Sequence, residues 1–164
     1  MAEDISAKYW SAIEKAYDDF NPSGGVRAFR EQYAKLELEI GKLLAVHWCV
    51  SEVCNGGFYQ FFYNDTGVLA PEAAGALEAF GMTACAAVVR QAMSRLGPGY
   101  PRRRWLRVVR LWLAQARGLK SSEMLFDTED AKFYESYGTE AGGYEKAGVD
   151  HLNSRQIGGG GRTL

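Results

Sequence analysis

Two apolar runs at helical spacing, parted by one glycine-bearing break, constrain this chain most. From about Val26 to Cys54, the residues Phe29, Tyr33, Leu36, Ile40, Leu43, His47, Val50 and Cys54 recur at intervals of three and four. That is the period of a helix that buries one side. Asn55-Gly56-Gly57 follows, and both residue types tolerate the left-handed backbone that ends helices. Phe58, Phe61 and Phe62 resume the pattern as far as Asn64, and Asp65-Thr66-Gly67 stops it again. A helix of this length predicts a central element against which shorter ones pack.

The other segments read the same way. Ile5 to Phe20 predicts a first helix, ended by Asn21-Pro22-Ser23-Gly24-Gly25. Pro71 to Phe80 predicts another, with Pro71 suited to a first turn and Gly81 to a cap. Thr83 is placed to cap a helix that runs to Leu96, and Pro101 opens one that runs to about Ala116. In that helix Trp105, Val108, Val109, Trp112 and Leu113 predict the buried face. Ser121 to Phe126 reads as a loop or short turn. Asp127-Thr128-Glu129-Asp130 opens a helix ended by Gly138, and Thr139 is placed to cap a last one reaching Asn153. No stretch alternates with a period of two. The expected fold is all-α, an irregular single-domain bundle of about six or seven helices. It occupies residues 1–156, with 157–164 a flexible Gly-rich tail.

With 164 residues, 47% hydrophobic and 24% charged, the chain suits one globular domain rather than a disordered one. No apolar run approaches the ~18 residues of a membrane span, so no membrane partner is expected. The acidic, amphipathic N-terminus does not read as a secretory signal, which makes the cytoplasm the expected compartment. Cys49, Cys54 and Cys85 are odd in number and predict reduced, mostly buried thiols. Cys49 and Cys54 lack zinc-ligand spacing, and only His47 and His151 could supplement them, so neither metal nor cofactor is expected. His47 lies among leucines and predicts a neutral core residue, since no Ser or Cys nucleophile pattern accompanies it.

Net charge is −1, but its distribution is uneven. Residues 79–122 carry nine basic side chains and no acidic one, between two acidic stretches. Arg103, Arg107, Arg110 and Arg117 recur at intervals of four, three and seven, which puts them on one side of a helix, with Arg102 and Arg104 beside them. In one reading these arginines pair with the acidic C-terminal region around Glu129, Asp130, Glu135 and Glu145. In the other they form an exposed strip that binds an acidic partner, an anion or nucleic acid.

The residues Glu52, Asn55, Gly56, Gly57, Phe58, Gln60, Phe61, Phe62, Asn64 and Gly67 resemble the hallmark of a bacterial domain-of-unknown-function family. That family includes an acidic DNA-mimic protein of DMP type. The similarity extends through Pro71-Glu72-Ala73 and Phe80-Gly81 to Phe126-Asp127 and Phe133-Tyr134, over roughly residues 30–153. It implies an all-helical fold. It also implies a mechanism in which surface carboxylates imitate the phosphates of DNA and occupy a DNA-binding protein. The near-neutral charge and the arginine-rich helix run against DNA mimicry in this chain.

Two readings of Glu52, Asn55, Gly56, Gly57, Phe58, Gln60, Phe61 and Asn64 stay open. In one they form a helix joint, with Glu52 reaching across the turn to accept backbone N–H groups of the next helix. In the other they line a polar pocket for a small ligand, although a lone carboxylate with amides lacks the second acid or base of a hydrolase. The expected function is a non-enzymatic protein-interaction or regulatory module acting through charged helical surfaces. A DNA-binding protein is among its candidate partners. A small-ligand or enzymatic domain at the joint, and an anion or nucleic-acid binder at the arginine helix, are the alternatives.

Overall fold

In the computed structural model, which describes residues 4–118 and 124–159, the Asp4 carboxylate opens the first helix by accepting the Ala7 N–H at 3.3 Å. Helix α1 spans Ile5–Asp19. The expected second helix proves to be two. Helix α2 (Gly25–Tyr33) stops, residues 34–37 turn, and α3 runs Leu38–Tyr63. The cause lies in Tyr33 and Gly41. A Cβ on Gly41 would sit 3.1 Å from the Tyr33 ring, a contact that eight residues of straight helix, about 12 Å, would forbid. The turn lets the Tyr33 ring cover Gly41.

The remaining helices are α4 (Ala70–Ala79), α5 (Thr83–Ser94), α6 (Arg104–Gly118), α7 (Asp127–Ser136) and α8 (Tyr144–Gly159). The domain is all-α, and no strand occurs among the described residues. Helix α3 is the centre, packed against α1, α4, α6, α7 and α8. Leu43, Leu44, Ala45, Val46, Cys49, Val50 and Val53 are all buried. Its apolar seam has therefore widened into a nearly complete cylinder, as a fully enclosed helix requires. Two polar contacts fix its neighbours. The Tyr9 hydroxyl of α1 donates to the Leu43 carbonyl at 2.9 Å, and His151 Nε2 of α8 lies 2.6 Å from Glu39 Oε2.

His47 is half-buried against the rings of Tyr9, Trp10 and Tyr17. Burial lowers its pKa and keeps the imidazole neutral. Cys49 and Cys85 are buried and Cys54 is exposed; all three are free thiols. Among the described residues, no group of His, Cys, Asp and Glu is arranged to hold a metal ion. None of the described helices is long and apolar enough to cross a membrane.

The C-terminal expectations shift in two places. Thr139 does not cap the last helix: a 3-10 turn at Glu140–Gly142 intervenes, and α8 begins at Tyr144. Helix α8 then continues to Gly159, beyond the expected end at Asn153, and residues 160–164 of the expected tail lie outside the described residues. Residues 121–123 of the expected loop also lie outside them.

Nor does Thr83 cap α5. The Glu140 carboxylate does so from across the fold, accepting the Ala84 N–H at 2.8 Å and the Cys85 N–H at 2.9 Å. Burial pushes the Glu140 carboxyl up, but these backbone donors outweigh it and leave its pKa below the ordinary value. With the folded pKa depressed, the unfolded chain binds more protons as pH falls through the carboxylate range. The contribution of Glu140 is thus present above that range and lost below it. Chemical denaturation of the wild type and Glu140→Gln across mildly acidic to neutral pH is expected to show a flatter acid limb and a lower neutral plateau in the variant. Two superimposable profiles would contradict the cap.

Candidate functional site

The joint within α3 is built on two glycines. Gly56 leaves the helical region, and Gly57 adopts φ 70°, ψ −178°, a left-handed backbone that favours glycine. A Cβ at Gly57 would also lie 2.5 Å from Asp130 Oδ2. The break frees backbone groups from the helix ladder, and buried groups so freed need partners. Helix α7 supplies two. Asp130 Oδ1 accepts the Phe58 N–H at 2.8 Å, and the Tyr134 hydroxyl donates to the Val53 carbonyl at 2.8 Å. Burial pushes the Asp130 carboxyl up, while the Phe58 N–H opposes it.

Glu52 therefore does not cap the next helix, as expected; Asp130 does. Glu52 instead gathers side chains across the joint. Its Oε2 accepts from Gln60 Nε2 and Asn64 Nδ2, each at 2.9 Å, and its Oε1 accepts from Thr66 Oγ1 at 2.7 Å. Asn55 is exposed, whereas Phe58, Phe61 and Phe62 are buried. The Phe58 ring meets those of Phe62, Phe126 and Phe133. Both Glu52 oxygens are thus engaged, and none of their three partners is an acid or base. This geometry clamps two helical segments together. Nothing in the sequence assigns Asp130 and Tyr134 to the joint, although their spacing of four places them on one face of α7.

Helix α6 is turned the opposite way from expectation. Trp105 and Trp112 are each 60% exposed, with Leu113 at 48% and Val109 at 39%, while Arg107 is fully buried beside Leu111. The reason is what α6 packs against. The C-terminal end of α3 presents carbonyls that no further turn of helix can satisfy, and a guanidinium brings five donors in a planar fork. Arg107 Nε donates to Phe62 O at 2.9 Å, its Nη2 to Asn64 O at 2.8 Å and its Nη1 to Arg102 O at 2.6 Å. Arg104 Nε donates to Tyr63 O at 2.8 Å, with its guanidinium over the Tyr63 ring. Arg110 Nη1 does the same for the loop after α5, reaching Leu96 O, Pro98 O and Gly99 O at 3.2, 3.0 and 2.6 Å. Arg102 joins Val68 O and Glu72.

The arginines thus meet backbone carbonyls rather than the acidic C-terminal region. Glu129 pairs with Arg95 instead, and Asp130 is held at the joint. Arg107 is enclosed and Arg110 largely committed, so the outward positive groups of this stripe are Arg103 and Arg117, both exposed. They border the exposed apolar face. The arginine register follows the ends of two other helices, a match that only the packed fold reveals.

A family model, described as DMP19-like protein, matches residues 34–152. The chain belongs to the DMP19-like protein family. This agrees with the resemblance carried by Glu52–Gly67. The family match takes in the joint, the arginine helix, and α7 with most of α8, and it leaves α1 and α2 outside. No curated protein and no solved structure matches the chain.

Arg107→Met keeps the packing volume but removes the donors for the Phe62, Asn64 and Arg102 carbonyls. With unpaired buried groups costing ~1–3 kcal/mol each, the expected loss is ~3–5 kcal/mol. That corresponds to a fall in melting temperature on the order of 10 °C for a chain of this size. Arg107→Lys is expected to recover only part of it, because an ammonium lacks the planar fork. A melting temperature unchanged in Arg107→Met would contradict the buried role.

Proposed function

We propose that this protein is a non-enzymatic protein-interaction module whose contact surface is the outer face of α6. The observation that carries this reading is the exposure of Trp105 and Trp112, with Val109 between them and Leu113 alongside. Helical spacing gathers the four into one stripe. Large apolar side chains grouped on a surface mark binding sites, and Trp and Arg are the residue types that dominate interface energetics. Arg103 and Arg117 supply the charged rim. The charged helical surface anticipated from sequence thus becomes an apolar stripe with an arginine edge.

The joint supports a ligand site less well, because both Glu52 oxygens are already engaged by Gln60, Asn64 and Thr66. A bare anion or nucleic-acid grip is also less supported, since Arg102, Arg104, Arg107 and Arg110 donate to backbone carbonyls. DNA mimicry calls for a dominant acidic surface, whereas this chain has net charge −1. The compartment proposed is the cytoplasm.

The test places a photo-crosslinking amino acid at Val109 in the full chain, expressed in its host. A discrete adduct with another protein is expected, and Trp105→Ser/Trp112→Ser in the same background should abolish it while leaving the melting temperature within a few degrees. Absence of any protein adduct, with the chain folded, would sink the reading.

A further inference from the structure

The choice of occupant rests on α6 being the contact surface, whose shape and charge pattern narrow it. The exposed positions 105, 109, 112, 113 and 116 follow the row spacing by which one helix packs on another. From Trp105 to Ala116 they span about 17 Å, or three turns. One edge of the stripe carries Arg103, Arg110 and Arg117. Beyond it a cleft of about 480 Å³ is lined by Arg95, Leu96, Arg110, Leu113, Arg117 and Leu125. Of its guanidinium groups Arg95 pairs with Glu129 and Arg110 with backbone carbonyls, which leaves Arg117 beside the apolar floor to pair the carboxylate of a long acidic side chain whose methylenes are buried.

The opposite edge differs. There Arg104 is spent on the Tyr63 carbonyl and ring, with Asp65 Oδ1 3.9 Å from its Nε. The surface is therefore positive on one side only.

We infer that the partner segment is an acidic amphipathic helix of about three turns, its apolar side on Trp105, Val109, Trp112 and Leu113 and its carboxylates against Arg103 and Arg117. Two other occupants fit less well. An antiparallel second copy of α6 would bring Arg103 of one chain beside Arg117 of the other, like charges in contact. A lipid surface suits a helix with cationic groups on both borders of its apolar face, whereas here one border is neutralised. The absence of any lysine or carboxylate in α6 also favours carboxylate pairing, where the guanidinium fork gives two parallel hydrogen bonds.

The experiment is selection, against the full chain, from a displayed library of helical peptides. The apolar positions vary, and one edge varies freely among Glu, Lys and Gln. Wild type is expected to enrich peptides with Glu along that edge, and replacing every edge Glu by Lys should weaken a selected peptide by about tenfold or more. Arg103→Glu/Arg117→Glu should reverse that preference, and Trp105→Ser/Trp112→Ser should enrich nothing. Selected peptides without an acidic edge would overturn the inference. So would a preference untouched by the charge reversal, self-association strengthened by it, or co-sedimentation with phosphatidylglycerol vesicles in place of peptide binding. A protein adduct at Val109 combined with peptides indifferent to edge charge would remove the acidic partner and leave the surface; loss of the adduct would remove the surface itself.

Discussion

A guanidinium enclosed in the domain sets the arrangement of its surroundings. Helix α3 ends against α6, and its last carbonyls find donors there. Arg107 meets Phe62 O and Asn64 O from one side chain. To deliver that fork, α6 must turn its polar edge inward, and its tryptophans go outward as a result. Burial lowers the Arg107 pKa, but a guanidinium has no accessible neutral form, so the charge remains. The negative end of the helix dipole and the carbonyl oxygens compensate it. The approach is close enough to dictate Gly67: a Cβ there would lie 2.6 Å from Phe61 O and 2.9 Å from Arg107 Nε.

The short aromatic segment Phe58–Tyr63 is thus held at both ends by opposite charges. Asp130 receives its first N–H, and Arg107 and Arg104 meet its last carbonyls. A carboxylate at the start and a guanidinium at the end of a helix each oppose the local partial charge. Glu52 then ties the segment back to the preceding part of α3 through Gln60 and Asn64. The residues of Glu52–Gly67 read coherently as an anchoring point for α6 and α7. The proposed function lies on the outer face of the helix that the anchor turns around.

Much of the fold was legible in the chain because helix periodicity and breakers act locally. The stop at Asn55-Gly56-Gly57, the short helix after it, and the spans of α1, α4, α5 and α7 all follow from near neighbours. What was not legible depends on distant ones. Glu140 caps α5 from 56 residues away, and Arg107 meets Phe62 across 45. The buried face of α6 was misjudged because apolar residues ordinarily face the core, and no local pattern announces that a neighbouring helix end needs donors more than it needs apolar cover. Glu52 meets side chains across the joint, and the backbone cap belongs to Asp130, which only the packing of α7 brings near.

The tryptophans of α6 report directly on its orientation. Trp10→Phe/Trp48→Phe leaves Trp105 and Trp112 as the remaining tryptophans of a chain that has four in all, to be excited selectively over its tyrosines. An outward α6 predicts red-shifted emission and acrylamide quenching close to that of a free tryptophan amide in the folded protein, with little further change on unfolding. Blue-shifted emission shielded from acrylamide until the chain unfolds would contradict it.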